Sequence, residues 1–204
     1  MSRLVVVVVA LPGSGKSTVL ARLSESLPDV KVVNFGDLML SEASRIYGVR
    51  HRDDMRRLLV LDDYRRLQVE AAKRISEIDG VVVVDTHAVI KTEHGLYPGL
   101  PTEVVKLINP TIIFFIEPRP EDVLERRMKD ETSRKREITS ADEIARDLDI
   151  SKQFTVAAAN EAMCYLKIIR QTYPQEYPFQ HAVEAAREIA GTIKTLAQLV
   201  RQQT

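Results

Sequence analysis

The sequence predicts an open α/β fold: a five-stranded parallel sheet sandwiched by helices. Three unbroken apolar runs rich in β-branched residues, Leu4–Ala10, Val81–Val84 and Thr111–Ile116, carry that prediction. Runs of this kind, short and without polar alternation, fit strands buried on both faces. Two weaker strand patterns, Val30–Asn34 and Tyr165–Ile169, bring the count to five. Helical patterns lie between the runs, and such alternation places crossover helices on a parallel sheet.

In chain order, a helix over Ser17–Leu27 follows the first strand. Gly36–Tyr47 and one long helix, Arg52–Ile78, follow the second. Pro101–Ile108 precedes the fourth strand, and Pro120–Lys129 and Ala141–Asn160 precede the fifth. Tyr173–Pro178 reads as a rigid loop before a closing helix over Phe179–Gln202.

The first strand runs into Ala10-Leu11-Pro12-Gly13-Ser14-Gly15-Lys16-Ser17-Thr18. This stretch resembles the P-loop, G-x-x-x-x-G-K-[ST], with Ala10 in the first glycine position. Gly13 and Gly15 free the backbone to turn successive N–H groups inward, where they and the helix N-terminus cradle phosphate oxygens. Pro12, Gly13, Ser14, Gly15, Lys16, Ser17 and Thr18 are therefore the expected ATP contacts. Lys16 would reach the β- and γ-phosphates and the Ser17 hydroxyl would hold Mg²⁺.

Asp85 ends the run Val81–Val84, where ligands meet open α/β sheets. It reads either as a magnesium-holding acid, usually acting through water, or as a cap for the next segment. His87 either contacts phosphate or supports its loop. Asn34-Phe35-Gly36-Asp37 stands at the end of the second strand. Gly36 lets a planar ligand approach the backbone, and Asp37 is equally an N-cap or a ligand contact.

Two segments are dense in arginine. Arg50–Arg66 holds six Arg and four Asp; Arg119–Arg136 holds five Arg, two Lys and five acids. Arg56 and Arg57 diverge by about 100° on a helix and cannot both face one ligand. Much of the first cluster is expected to pair with Asp53, Asp54, Asp62 and Asp63. The second lies where a mobile lid could close over a nucleotide, and guanidinium forks suit a migrating phosphoryl group.

The composition excludes several alternatives. The 204 residues carry 29 basic and 29 acidic side chains, so a general polyanion binder is not expected. One cysteine excludes a disulfide framework, and four scattered histidines lack zinc spacing. With no apolar run long enough to span a bilayer and no leader pattern, no membrane partner and a cytoplasmic location are expected.

With these elements placed, the chain resembles the archaeal-type adenylate kinases. The matching stretches, in order, are Ala10–Thr18, Val32-Val33-Asn34-Phe35-Gly36, Arg52–Leu58, Val84-Asp85-Thr86-His87, Ile90-Lys91-Thr92 and Gly95–Pro101. Asn109-Pro110, Arg126-Arg127 and the Arg134/Arg136 pair complete them. The resemblance implies one P-loop kinase domain over residues 1–204, with an AMP-binding helical segment at about 35–79 and a lid at about 126–142. It implies reversible transfer, MgATP and AMP giving two ADP, with Mg²⁺ as cofactor, ATP and AMP as partners, and homotrimeric assembly.

The resemblance gives Asn34, Phe35, Gly36, Arg56, His87 and Lys91 to AMP, and Ser17 and Asp85 to magnesium. Lys16, Arg127, Arg134 and Arg136 become the catalytic cations. In one place the chain departs from many members: Arg170–Gln175, after the fifth strand, contains no glycine. The rival readings are a kinase for CMP or UMP and an RNA-associated P-loop ATPase. Aromatic residues are only 5% of the chain, and the arginine clusters hold none besides Tyr64, which argues against a nucleic-acid partner.

Overall fold

A computed structural model describes residues 3–129 and 140–202. The central strand, β1 (Leu4–Ala10), is buried at every position. Its odd and even residues enter opposite cores: Val5, Val7 and Val9 on one side, Leu4, Val6 and Val8 on the other. Five parallel strands form the main sheet in the order β2 (Lys31–Asn34), β3 (Val81–Thr86), β1, β6 (Ile112–Pro118) and β7 (Tyr165–Gln171). The fold class read from the apolar runs is the one observed.

Helices α1 (Lys16–Ser26) and α8 (Gln180–Gln202) cover one face, where Leu20 and Leu23 meet Ala186, Ile189 and Ile193. On the other face lie α2 (Phe35–Tyr47), α4 (Leu61–Ser76), α5 (Thr102–Ile108) and α7 (Ala141–Ala162). Helix α6 (Pro120–Lys129) joins that face through Val123.

Two elements differ from the sequence expectation. The single long helix from Arg52 is two, α3 (Arg52–Leu58) and α4, broken at extended Leu59 and Val60. Arg56 and Arg57 end α3, while Asp62 and Asp63 open α4. Cations suit a helix C-terminus and anions the next N-terminus, so the charges favour two short dipoles over one long one. The second difference is a hairpin, β4 (Val89–Thr92) and β5 (Gly95–Pro98), paired Val89↔Pro98 to Thr92↔Gly95. Gln68 of α4 holds it down: its Nε2 donates to the Pro98 carbonyl at 3.1 Å, and its Oε1 accepts from the Tyr97 hydroxyl at 3.1 Å.

Candidate active site

At the carboxyl end of β1 the chain turns sharply into α1. Gly13 and Gly15 carry φ of 93° and 82°, the left-handed region that glycine enters without cost. Ala10 does not: it is still paired in the sheet, opposite Ile116, and lacks a positive φ. Glycine's freedom is therefore unnecessary at the first position of this loop. Two arginines from the end of α6 brace the turn. Arg126 Nη1 donates to the Ser14 carbonyl at 3.1 Å, and Arg127 donates through Nε and Nη2 to the Pro12 carbonyl at 3.2 and 2.8 Å.

Lys16 is 8% exposed and its ammonium lies 2.6 Å from Asp85 Oδ1; it also donates to the Thr86 carbonyl. Burial pushes this ammonium below its ordinary pKa, Asp85 opposes that shift, and Arg52 adds to it. Asp85 continues the chain, since its Oδ2 accepts from Asn34 Nδ2 at 2.6 Å. Asn34 Oδ1 in turn accepts from Arg52 Nη2 at 2.7 Å, and the same guanidinium pairs with Asp37. An unbroken polar chain thus runs Lys16–Asp85–Asn34–Arg52–Asp37 across the tips of three strands or the helices that follow them.

Beyond Asn34 this chain borders a narrow cleft of about 60 Å³. Asn34, Phe35 and Gly36 form one wall, Arg52, Arg56 and Tyr64 another, and Thr86, His87 and Gly99 a third. Gly36 lies directly under the Arg52 guanidinium: a Cβ there would be 3.2 Å from its central carbon. Gly99 is tighter still. Its N–H donates to the Ala88 carbonyl at 2.7 Å, and a Cβ would fall 1.9 Å from the His87 carbonyl oxygen. Burial raises the Tyr64 phenol pKa, and the adjacent Arg56 counteracts it.

A second cavity, of about 220 Å³, opens on the other side of the glycine-rich turn. It runs from Ser14, Gly15 and Thr18 past Arg126 to Gln171 and the loop at Pro178 and Phe179. The glycine-rich turn therefore lies between two recesses, one on the β3 side and one on the β7 side.

A family model described as an AAA domain matches residues 9–145. The adenylate kinase of Pyrobaculum aerophilum is 42% identical over 189 residues, spanning 92% of this chain and 95% of that one. The adenylate kinase of Pyrococcus horikoshii is 40% identical over 168 residues, 81% and 85% of the respective chains. The chain belongs to the adenylate kinase family. Among solved structures, the shikimate kinase of Acinetobacter baumannii, in complex with shikimate, matches with a TM-score of 0.59 at 15% identity, over 95% of this chain and 94% of that one. That of Aquifex aeolicus matches with a TM-score of 0.54 at 18% identity, over 96% and 99%. These last two are likenesses of fold.

In this adenylate kinase family member, the expected ATP contacts Pro12 to Thr18 form the turn and the first residues of α1. Asn34, Phe35, Gly36, Arg56 and His87 share the β3-side cleft. Lys91 does not line it. Its ammonium bonds Asp147 Oδ2 of α7 at 2.6 Å, while its neighbour Ile90 lines the cleft. Successive residues of a strand face opposite ways, so a strand that sends Ile90 inward sends Lys91 outward. Asp37 is not the cap of α2; Asn34 is, accepting from the Asp37 N–H at 3.1 Å.

Three of the four pairings expected in the first arginine cluster are present: Arg57 with Asp54 at 3.0 Å, Arg65 with Asp62 at 3.0 Å, and Arg56 with Asp53 at 3.7 Å; Asp63 instead accepts from the Tyr47 hydroxyl at 2.7 Å. Arg134 and Arg136 lie outside the described residues. So does most of the expected lid; its last part is Ser140, which caps α7, and the first residues of that helix.

Sequence reasoning missed several site residues, Tyr64 and Gly99 of the cleft among them. Arg52 was passed over for Arg56 although it reaches furthest into the polar chain. Arg126 was passed over for Arg127, yet both brace the turn. Gln171 had a signal, a neutral polar residue two positions beyond an apolar strand pattern, at the sheet end where ligands bind.

As to magnesium, the chemistry of the donors fits a hard cation. Ser17 supplies a hydroxyl beside Lys16, and Asp85 supplies a carboxylate whose Oδ1 is ion-paired with Lys16 and whose Oδ2 accepts from Asn34. Such engaged oxygens suit contact through water, with substrate phosphates completing the shell. No cluster of three or more His, Cys, Asp or Glu suited to a metal occurs among the described residues. No helix among them is long and apolar enough to cross a membrane.

Proposed function

We infer that the chain catalyses reversible phosphoryl transfer from MgATP to AMP, giving two ADP. The observation that carries this reading is the polar chain from Lys16 to Arg52. It joins a phosphate-cradling turn to a second cleft that holds two further guanidinium groups, Arg52 and Arg56. A hydrolase needs one such site; a monophosphate kinase needs two, adjoining. The family relatives named adenylate kinase support the same activity.

In this reading the ATP phosphates rest on the N–H groups of Gly13 to Thr18, with Lys16 moving from Asp85 towards the γ-phosphate. The AMP phosphate lies between Arg52 and Arg56, and its base enters the cleft lined by Phe35 and Tyr64. An α-phosphate oxygen of AMP forms the new bond to the γ-phosphorus as the bond to the β,γ-bridging oxygen breaks. The attacking oxygen is anionic at neutral pH, so no general base is required. Catalysis comes from positioning and from positive charge on the transferring group.

Ser17 and Asp85 would hold magnesium, which neutralises charge on the β- and γ-phosphates when bound. We further assign residues 35–79 to AMP binding and 126–142 to a lid. Arg127, Arg134 and Arg136 act there once water is excluded. The family resemblance also carries homotrimeric assembly and a cytoplasmic location into this reading.

The test is a coupled assay with MgATP and a panel of AMP, CMP, UMP and GMP. AMP should give the highest kcat/KM. Preference for CMP or UMP replaces the acceptor while keeping the mechanism. ATP hydrolysis that needs no acceptor overturns the reading. Light scattering of the purified protein checks the trimer.

A further inference from the structure

Asn34 stands in the middle of the polar chain, between the glycine-rich turn and the β3-side cleft. It ends β2 and is the register partner of Asp85 on β3, so the two side chains leave the same face of the sheet. Its amide has one workable orientation. Oδ1 faces two donors, the Asp37 N–H at 3.1 Å and Arg52 Nη2 at 2.7 Å, and neither group can accept. Nδ2 is thereby turned to Asp85 Oδ2, to which it donates at 2.6 Å.

Asp85 has no comparable anchor at its other oxygen. Oδ1 lies 2.6 Å from the Lys16 ammonium, yet among the described residues it forms no hydrogen bond. An ammonium is a compact point charge that a carboxylate can follow in many orientations, whereas a hydrogen bond from a fixed amide selects one. The Asp85 side chain is 14% exposed, so water offers it few substitutes. The direction of the carboxylate is thus set from Asn34.

We propose that Asn34 is a positioning residue for phosphoryl transfer: it fixes the Asp85 carboxylate against Lys16 and does not itself read AMP. Both acceptor positions of Oδ1 and one of the two Nδ2 hydrogens are committed within the protein. This rests on the kinase reading proposed above, in which Lys16 leaves Asp85 for the γ-phosphate. Once the ammonium has left, the bond from Asn34 keeps the carboxylate in place. Without that bond the carboxylate swings after the ammonium and holds it back from the phosphate.

The experiment measures kcat and KM for both nucleotides in wild type, Asn34→Ser and Asn34→Asp. Serine keeps the cap of α2 and is too short to reach Asp85. Aspartate keeps the shape, the cap and the bond to Arg52, and replaces only the donor facing Asp85 with an acceptor. In Asn34→Ser kcat should fall about tenfold, the equivalent of one hydrogen bond to a charged group, while KM for AMP stays within about threefold. Asn34→Asp should lower kcat at least as far. In an Asp85→Ala background Asn34→Ser should cost no more than about twofold, because a residue that acts through another loses its effect when that other is gone.

A wild-type kcat in either folded variant overturns the proposal. So does a rise of about tenfold in KM for AMP with kcat kept, which returns Asn34 to the AMP contacts. A full tenfold loss in the Asp85→Ala background overturns it as well. Should that background fail to fold by circular dichroism, the split between kcat and KM decides alone. Absence of transfer to AMP in the wild type sinks the kinase assignment only. Crystal structures of wild type and Asn34→Ser then decide the role of Asn34: a carboxylate of Asp85 that keeps its direction in the variant overturns it.

Discussion

The two recesses flanking the glycine-rich turn are built by different means. On the proposed donor side one unbroken stretch, Pro12 to Thr18, supplies the turn, the ammonium and the hydroxyl. Its backbone turn follows from two left-handed glycines and a helix N-terminus, which are local, and Arg126 and Arg127 of α6 brace it from a distance in sequence. On the acceptor side Gly36, Arg52, His87 and Gly99 come from four segments and meet only because α2, α3, β3 and the β4–β5 hairpin pack together. A local cradle tolerates change elsewhere, whereas an assembled one is as sound as its weakest tertiary contact. The halves meet at Asp85 and Asn34, so neither is electrostatically independent of the other.

The largest expected effect lies where the donor side is most local. Lys16→Ala should lower kcat by about 10²–10³-fold, the usual cost of removing one preorganised cation or donor from a transition state. Circular dichroism should show the fold retained. Turnover near the wild-type value removes Lys16 from the chemistry.

Arg52→Ala tests the division between the halves. A charged hydrogen bond to substrate contributes about 1.5–3 kcal/mol, so KM for AMP should rise roughly 10- to 100-fold. KM for ATP should move by no more than about twofold. An equal rise for both nucleotides means that the polar chain, and not the acceptor cleft, is what Arg52 supports.

Gly99→Ala comes next. The added carbon meets a backbone oxygen that cannot swing aside, so the His87 turn must shift. Overpacking of this kind costs about 1–3 kcal/mol. That lowers Tm by roughly 2–10 °C in a chain of this size. Thermal melts should show the loss, and AMP binding should weaken more than ATP binding. A variant with wild-type Tm and wild-type AMP binding would show that the cleft is less rigidly assembled than its contacts imply.

The smallest effect belongs to Lys91→Ala. The Lys91 ammonium is exposed on the outer face of the hairpin while its partner Asp147 is largely buried, so the loss falls on stability and KM for AMP should stay within about twofold. A tenfold rise would return Lys91 to the acceptor set, where the family resemblance puts it.

How far the sequence could be read follows the same division. Strand β1 has the limits its apolar run gives, and α6 spans Pro120–Lys129 as expected, because burial on both faces and helical spacing are written locally. The hairpin was missed since four-residue strands are too short to display a period. The break between α3 and α4 was missed since apolar spacing runs across it, and only the charge order, arginines then aspartates, marks the junction. Arg56 and Arg52 are indistinguishable as letters on one helix turn. Which of them reaches Asn34 depends on how α3 sits over α2.

By itself, then, the sequence determined the layered sheet, the glycine-rich turn and the family, because each rests on residues adjacent in the chain or on burial patterns within one element. Only the tertiary structure decided that Lys91 turns away to Asp147, that Arg52 closes the polar chain, and that the Gln171 amide is bonded to the His181 carbonyl. Those outcomes depend on partners 56, 18 and 10 residues away. The orientation of a side chain is set by what packs around it, and no local rule reports that.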